Sequence, residues 1–265
     1  MTGSDHSFII PAYGDCPYLE DCILSLKNQS IQSEILIVTS TPSDHISRLA
    51  ERYGIEVRIN SGEAGLANDW NFAYRQCKTK YLTIAHQDDV YYPEYVTKCL
   101  QAAGSRNVND ELILFTDYQE IAGGNIRRFS LTIIIKRMML FAFVPFGSAS
   151  KSICKRMLLA FGNSISCPTV MYNTKNIGSF QFNNGFRYNL DWDAWLQLAA
   201  KSGRFIYVGK KLMGHRLHAG SETSKNIGNR QRMVEEKQIL QTIWGRWLGE
   251  GIFFFYRFGG RLAGG

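Results

Sequence analysis

The stretch of sequence that decides the fold is GLANDWNFAYRQCKTKYLTIAHQDD, at residues 65–89. Ala67 to Cys77 is predicted to form a helix, and Tyr81 to Ala85 is a short apolar run typical of a buried strand. A polar loop, residues 86–89, follows the strand, and its last two residues are both aspartates. One helix, one strand and one acidic loop therefore succeed each other within 25 residues.

The same alternation of strand and helix runs through the preceding residues. Short apolar runs predict strands, and apolar residues at helical spacing predict helices, in the order Ser7–Pro11, Leu19–Leu26, Glu34–Val38, His45–Tyr53 and Glu56–Ile59. Alternation of this kind predicts an α/β fold with a mostly parallel central sheet and helices on both faces. Ligands of such sheets bind beyond the carboxyl ends of the strands, which directs attention to loops 12–16, 39–44, 60–65 and 86–91.

The pattern becomes less regular after Asp110, where we expect mixed sheet and helices. Neither an internal repeat nor a low-complexity linker interrupts the chain. We therefore interpret residues 1–228 as one continuous domain. Residues 229–265 are predicted to be a basic, aromatic-rich helical extension at the C-terminus.

Composition bounds the class of protein. The chain has 265 residues, of which 45% are hydrophobic and 13% aromatic, so it can bury a large core and is not disordered throughout. Its six cysteines contain no CxxC pair, which indicates buried thiols in a reducing cytosol and argues against a zinc site or a disulfide framework.

The N-terminus has no secretory signal, so we expect the protein to stay inside the cell. No apolar run approaches the ~20 residues that span a bilayer.

The positive charge is concentrated near the C-terminus. The net charge is +7, and residues 201–265 alone carry twelve Lys and Arg against four Asp and Glu. The same region contains Trp244, Trp247 and the run Phe253 to Tyr256. This mixture suits peripheral contact with an anionic membrane on its inner face. A solvated helix face is the alternative interpretation.

The paired aspartates are the sharpest chemical signal. Two adjacent carboxylates at a strand end repel one another unless a cation or several donors neutralise them. A divalent ion, bound by one carboxylate and by substrate phosphate oxygens, meets that need. The structural alternative is that Asp88 caps the following helix and that Asp89 is solvated.

A glycine-rich turn precedes the helix of the opening stretch. Gly62 and Gly65 let the backbone approach a ligand closely, and the N-terminus of the helix favours anions. The helix carries Asn68, Trp70 and Asn71. Turns of this type are common, so the signal gains weight only from its place one strand before the aspartates.

Two further clusters lie in the second half of the chain. Asp191 and Asp193 precede an apolar helical stretch, where a carboxylate would act as a general base or would simply complement the helix dipole. The segment GHRLHAGSET is predicted to be a flexible loop that carries His215, Arg216, His218 and Ser221. These side chains would clamp phosphate and metal, although an ordinary surface loop is the alternative.

Together and in this order, the segments from Ser7 to Ser224 resemble the family-2 inverting glycosyltransferases of the bacterial surface-polysaccharide type, which have a GT-A fold. SFIIPAYG and LEDCILSLKNQS look like the opening strand and first helix of that family. GLANDWNFAY followed by YLTIAHQDD looks like a recognised variant with an Asn-Trp-Asn helix before a His-Gln-Asp-Asp loop. A GT-A domain is a Rossmann-like fold that binds a nucleotide-diphosphate sugar.

The resemblance implies a role for each matching residue. Asp88 would bind Mn²⁺ or Mg²⁺ with His218, and Asp89 is the less favoured metal ligand. Asp191 would be the catalytic base, with Asp193 as second choice because Leu190 replaces the glutamate of the family's Glu-Asp motif. The residues expected to bind the donor are Pro11, Ala12, Tyr13, Ser40, Asn68, Asn71, His86, Gln87, Arg216 and Ser221.

The expected activity is transfer of a sugar from a nucleotide-diphosphate donor to a glycan or lipid-linked acceptor. The segment TSTPSD at residues 39–44 stands where the family usually has Asp-Asp-Gly-Ser, so the nucleotide base is left open. A nucleotidyltransferase is a second hypothesis, but AYGDCPYLED lacks the long Gly-rich loop of such enzymes. A basic binding module is a third, and without a nucleic-acid motif no nucleic-acid partner is expected.

Overall fold

The computed structural model describes residues 5–105, 109–127, 130–141, 147–218, 220 and 230–263, with residues 141 and 255–263 as backbone only. Its strands are β1 (His6–Pro11), β2 (Glu34–Thr39), β3 (Glu56–Ile59), β4 (Tyr81–Ile84), β5 (Val90–Tyr91), β6 (Glu111–Ala122), β7 (Asn125–Ile126), β8 (Ser148–Ala149), β9 (Val170–Asn173) and β10 (Arg204–Leu217). Its helices are α1 (Leu19–Lys27), α2 (Asp44–Tyr53), α3 (Leu66–Gln76), α4 (Tyr95–Gly104), α5 (Leu131–Phe141), α6 (Ser152–Met157), α7 (Thr174–Ile177), α8 (Leu190–Ala200) and the C-terminal helices Arg230–Trp244 and Arg246–Ala263.

One mixed sheet holds these elements together, in the order β3-β2-β1-β4-β9-β6-β10-β5. The first four strands are parallel neighbours. β9 is antiparallel to both β4 and β6, and β10 is parallel to β6. All long strands except β9 therefore run in one direction. The prediction of a mostly parallel sheet that becomes mixed after Asp110 is confirmed.

Hydrophobic side chains cover both faces of the sheet. Along β1, Phe8 and Ile10 point into one core and Ile9 points into the other, as the period of two in a strand requires. The first core receives α1, α2 and α4, and the second receives α3 and α8. Helices lie on both faces, as the alternation of apolar runs predicts.

The boundaries of the early helices result from local chemistry. The Ser43 side chain accepts a hydrogen bond from the N–H of Ile46 and caps the start of α2. Gly54 ends that helix in the left-handed conformation, at φ +61°, where glycine has no Cβ penalty. The observed bounds of α1, α2 and α3 lie within about a residue of the predicted ones, within the usual uncertainty of helix ends.

One predicted loop is a strand. β10 runs for 14 residues and includes His215 and Arg216, which the sequence places in a flexible loop. The prediction is wrong because β6 continues to Ala122, and its backbone pairs with β10 as far as Leu217. Among the described residues of that predicted loop, His218 and Gly220 lie beyond the strand.

The six cysteines are free thiols. Cys16, Cys22, Cys99 and Cys167 are buried, while Cys77 and Cys154 are partly buried. Their placement agrees with the prediction of buried thiols.

The first C-terminal helix packs on the core of the sheet domain. Ile239 and Leu240 are fully buried there, and the indole N–H of Trp244 donates to the carbonyl of Ala160 at 2.7 Å. The second C-terminal helix folds back on the first, and Gly249 lies so close to Gln241 that a Cβ would collide with its backbone. None of the helices in the described part of the chain combines the length and the hydropathy of a membrane-spanning segment.

Candidate active site at the carboxyl edge of the sheet

The acidic loop 86–89 lies after β4 at the carboxyl edge of the sheet. The thiol of Cys22, on α1, lies 3.3 Å from the carbonyl oxygen of His86 and holds the loop backbone. The next residues in the chain, Val90–Tyr91, form strand β5. The alternative in which Asp88 caps a following helix is therefore wrong.

Asp89 is a buried structural anchor of the site. Its carboxylate is completely buried and lies 3.0 Å from His215 Nδ1, and it accepts the backbone N–H of Arg216 at 2.9 Å. Burial opposes ionisation of Asp89, but the charge and hydrogen bond of His215 outweigh it and hold the pKa of this carboxyl below its usual value. The same contact raises the pKa of His215, although burial acts against it. The alternative of a solvated Asp89 is wrong, and β10 is tied to the acidic loop.

Asp88 lies on the open side of the same loop. Its carboxylate is partly exposed and lies 2.9 Å from His218 Nε2. Arg216 Nε donates to the Asp88 carbonyl at 3.0 Å, and the guanidinium stacks 4.3 Å above the Tyr18 ring. A further ion pair at 3.0 Å joins Arg216 to Asp21. The structure therefore brings Asp88, Arg216 and His218 together.

One ring nitrogen of His86 lacks a hydrogen-bond partner among the residues that the structure describes. Its ring packs on Trp70 at 5.3 Å, and its Nδ1 lies 4.0 Å from Asp89 Oδ2. Within the part of the chain that the structure describes, Nε2 is buried and makes no hydrogen bond. Burial lowers the pKa of His86, so its ring is held neutral and able to offer a lone pair.

The ligand atoms of His86, Asp88 and Asp89 all lie within 4.8 Å of one another. Two carboxylates and one imidazole form a donor set that suits Mn²⁺, because carboxylate oxygens favour hard divalent ions and imidazole binds transition metals. Nε2 of His86, which is buried and has no hydrogen-bond partner in the described part of the chain, is the observation that fits coordination of such an ion. His86 and Asp88 are residues that would hold the ion, since both are partly exposed whereas Asp89 is engaged by β10. His218, the predicted partner of Asp88 at the metal, contacts the Asp88 carboxylate at 2.9 Å, and its role as a metal ligand stays a prediction.

The turn at residues 11–13, which is predicted to bind the donor, lies directly beside the acidic loop. The Gln87 side chain clamps the backbone of Tyr13, accepting its N–H at 2.9 Å and donating to its carbonyl at 3.2 Å. Gly14 N–H donates to the Thr41 hydroxyl at 3.0 Å, which fixes the turn after Pro11 and the buried Ala12. The Tyr13 ring is 67% exposed and available to a ligand.

Asp69 is a carboxylate that the sequence reasoning missed. It is buried behind Ser40, whose hydroxyl donates to it at 2.8 Å, and Asn60 Nδ2 donates to its other oxygen at 2.9 Å. Segment 39–44 lacks the carboxylates of the family pattern before its final Asp44. Asp69, on α3, places a carboxylate beside Ser40 of that segment. A polar residue between Asn68 and the buried Trp70 was the available signal.

The two asparagines predicted to bind the donor have partners within the protein. Asn71 is buried, and its side-chain amide both donates to the Phe182 carbonyl and accepts the Phe182 N–H, at 2.9 and 2.7 Å. Asn68 accepts a hydrogen bond from Asn184 at 2.8 Å. In this structure both residues connect α3 to the segment before α8, and donor contact by them stays a prediction.

Asp191 and Asp193 both lie in the first turn of α8, but their surroundings differ. Asp191 accepts the Trp192 N–H at 2.9 Å and the Asn163 side-chain amide at 2.6 Å. Asp193 accepts the Gln197 side chain at 2.6 Å, one helical turn away. Burial raises the pKa of both carboxyls, with Lys136 opposing the shift at Asp191. The charge of Asp191 also opposes, as a minor contribution, the lowering of the His86 pKa by burial.

Ser221, the last of the predicted donor-binding residues, lies outside the described residues. Lys136 and Asn163 are additional residues near Asp191 that the sequence did not reveal. Neither belongs to a motif: Lys136 lies on α5, and Asn163 lies in the segment after α6, where its side chain donates to Asp191.

Comparison with known proteins supports the same assignment of the fold. The mannosyltransferase PcManGT of Pyrobaculum calidifontis, in complex with GDP-Man and Mn²⁺, matches 98% of this chain and 76% of its own with a TM-score of 0.62 at 10% identity. TarS 1-349 of S. aureus, in complex with UDP, matches 91% of this chain and 71% of its own with a TM-score of 0.60 at 15% identity. These likenesses confirm the GT-A fold.

Sequence comparison identifies relatives and a family. An uncharacterized glycosyltransferase of Rickettsia prowazekii is 24% identical over 227 residues, which cover 82% of this chain but only 65% of that protein. Another, from Haemophilus influenzae, is 24% identical over 246 residues, which cover 87% of this chain and 71% of that protein. The model of the family named Glycosyl transferase family 2 matches residues 7–159. Since this match covers more than half of the sequence, the chain belongs to glycosyl transferase family 2.

Proposed function

We propose that this protein is a metal-dependent, inverting glycosyltransferase that moves a sugar from a nucleotide-diphosphate donor to an acceptor hydroxyl. The observation that carries the proposal is the cluster of His86, Asp88 and Asp89, whose ligand atoms all lie within 4.8 Å of one another. A half-buried carboxylate with a raised pKa, Asp191, lies within electrostatic reach of that cluster. A cation site and a general base at one sheet edge are the two groups that a single displacement at an anomeric carbon requires.

The donor diphosphate would lie between the acidic loop and the end of β10. His86 and Asp88 would hold Mn²⁺ or Mg²⁺, which, when bound, supplies positive charge to the departing diphosphate. Arg216 adds a second cation that needs no rearrangement, because Tyr18 and Asp21 already fix its guanidinium. Preorganised charge of this kind favours a diphosphate leaving group over bound water.

Asp191 would remove the proton from the acceptor hydroxyl as that oxygen attacks the anomeric carbon. The bond between this carbon and the diphosphate oxygen breaks in the same step, so the configuration inverts and a nucleoside diphosphate leaves. A raised pKa makes Asp191 a stronger base than an exposed aspartate. Asn163 and the Trp192 N–H bind this carboxylate and orient it for proton transfer.

The nucleotide would lie on the turn formed by residues 11–13, against the exposed Tyr13 ring. Gln87 connects this turn to the acidic loop. This connection would fix the spacing between the nucleobase and the diphosphate. Bound GDP-Man with Mn²⁺ in PcManGT and bound UDP in TarS support a nucleotide sugar with a divalent cation. Contacts near Ser40 and Asp69 would select the nucleobase.

A lipid-linked glycan acceptor at the inner face of the membrane fits the second C-terminal helix, in a polysaccharide or glycolipid pathway. Trp247 is 83% exposed, and Leu248 and Phe254 are also exposed on this helix. Arg246 lies 5.7 Å from the Trp247 ring and would meet anionic headgroups. Co-sedimentation with phosphatidylglycerol vesicles tests the contact. We expect the Trp247→Ser and Phe254→Ser double variant to bind less, and undiminished binding would contradict membrane contact by this helix.

The catalytic proposal is tested by nucleoside diphosphate release from UDP-, GDP- and dTDP-sugars and by nucleoside monophosphate release from CMP-sugars. We expect release from one donor in Mn²⁺, none in EDTA, and none from an Asp88→Asn variant whose melting temperature is unchanged. Release of equal rate from Asp88→Asn would contradict the proposed metal site. Formation of pyrophosphate from a nucleoside triphosphate and a sugar phosphate would instead favour a nucleotidyltransferase.

A further inference from the structure

A buried glutamate on the first C-terminal helix binds the backbone that leads into α8, the helix that carries Asp191. The Glu235 carboxylate is 1% exposed and accepts three consecutive backbone N–H groups. These are the N–H groups of Arg187 at 3.0 Å, Tyr188 at 2.9 Å and Asn189 at 3.1 Å. The Asn189 side chain also donates to it, at 3.3 Å. Asn189 is the N-cap residue of α8, and Asp191 lies two residues later.

An ionised carboxylate is the natural partner for such a cluster of donors. Backbone N–H groups that converge on one point create a concave positive site, as in anion-binding turns. Each charge-assisted bond is shorter and stronger than a neutral one, and together they compensate the cost of burying Glu235. The helix thus fixes residues 187–189 through a contact that a neutral side chain would reproduce only in part.

The last residue of the same helix also contacts the segment just before Asn163, a hydrogen-bond partner of Asp191. Trp244 donates its indole N–H to the Ala160 carbonyl at 2.7 Å. The neighbouring Leu159 carbonyl accepts the indole N–H of Trp192, and Asn163, three residues after Ala160, donates to Asp191 at 2.6 Å. Both backbone segments that position the Asp191 carboxylate are therefore attached to helix 230–244.

We propose that helix 230–244 is part of the catalytic unit and that Glu235 and Trp244 are positioning residues for Asp191. The inference rests on the proposed role of Asp191 as general base. Neither side chain is argued to touch a substrate. A displacement of about 1 Å at a catalytic group can cost on the order of a hundredfold in rate. Loss of the contacts that Glu235 and Trp244 make should therefore lower kcat.

The test compares Glu235→Gln with a matched control, Glu250→Gln. Both variants remove one carboxylate from the C-terminal helices, but Glu250 pairs with Lys237 on the surface. A third variant, Trp244→Phe, keeps a six-membered aromatic ring but removes the five-membered ring with its N–H donor. The measured quantities are kcat and KM for nucleotide release with water as acceptor, the pH profile of kcat, the melting temperature and amide exchange of residues 186–193.

We expect Glu235→Gln to lower kcat by about tenfold to a hundredfold, with a donor KM within about twofold of the wild-type value. The acidic limb of its pH profile should shift, because the environment of Asp191 changes, and amides 187–189 should exchange faster. Glu250→Gln should match the wild type in each respect. Trp244→Phe should lower kcat in the same sense, by a smaller factor.

Wild-type kcat and an unshifted pH profile in Glu235→Gln would overturn the inference. So would a loss of activity that tracks donor affinity or melting temperature alone, because that is the behaviour of a merely structural residue. Failure of the proposed function is distinguishable, since the wild type itself would then release no nucleotide. In that case, unchanged amide exchange at residues 187–193 in Glu235→Gln would still refute the claim that Glu235 holds this segment in place.

Discussion

Replacement of Asp191 by asparagine is the perturbation that most sharply separates chemistry from folding. Asp191 accepts the Trp192 N–H through one oxygen and the Asn163 amide through the other. An asparagine retains the first contact. It also retains the second after Asn163 turns its side-chain amide over, because Asn163 Oδ1 lacks a partner among the described residues. The substitution therefore removes the base while keeping the hydrogen bonds.

The expected magnitude comes from the role of a general base. Its loss costs on the order of 10²–10⁴ in rate, which is about 2.7–5.4 kcal/mol in the activation free energy at about 1.36 kcal/mol per decade. Donor affinity should be unchanged, because Asp191 is not assigned to the diphosphate. The melting temperature should stay equal or rise, since burial raises the pKa of Asp191 and the ionised form is disfavoured in the folded protein.

The assay is nucleotide release at saturating donor, with donor affinity measured separately by calorimetry. The control is Asp193→Asn, which changes the neighbouring carboxyl that bonds Gln197. A kcat for Asp191→Asn within about threefold of the wild-type value would refute the assignment, because general-base loss costs far more. If Asp193→Asn were instead the variant that loses activity, the general base would be Asp193.

Three further predictions concern the donor site and its pH dependence. Asp88→Ala should weaken donor binding in Mn²⁺ by at least about tenfold, but leave metal-free binding unchanged, as measured by calorimetry. Asp69→Asn should change the preference between uracil and guanine nucleotides in a competition assay, because Asp69 carries the buried carboxylate behind Ser40. The wild-type kcat should fall as the pH drops through the raised pKa of Asp191, since protonation removes the base, whereas the residual rate of Asp191→Asn should lack that limb in a rate profile.

Much of the first half of the fold could be predicted because its signals are local. Apolar runs such as Phe8 to Ile10 alternate with helical patterns, and each strand and helix reports its own period. The acidic loop was recognisable because two carboxylates after a strand need compensation, whatever surrounds them. Asp88 and Asp89 nevertheless have different surroundings, which only the pairing of His215 with Asp89 reveals.

The features that the sequence did not predict depend on residues far apart in the chain. The segment around His215 has the glycine and polar residues of a loop, yet it is a strand because β6 extends beside it. The anchoring of residues 187–189 by Glu235 joins segments nearly 50 residues apart and leaves no local signature. Asp69 lay inside the opening motif, but its burial depends on Asn60 and Ser40 from other loops.

The central claim is that a divalent cation at the acidic loop is required for binding of a nucleotide sugar. Calorimetric titration of UDP-, GDP-, dTDP- and CMP-sugars into the protein, with and without Mn²⁺, tests it most directly. We predict that one nucleotide sugar binds at least about tenfold more tightly with Mn²⁺ than without it, and that Asp88→Ala abolishes the difference. Equal binding with and without Mn²⁺, or no binding of any donor by the folded protein, would contradict the claim.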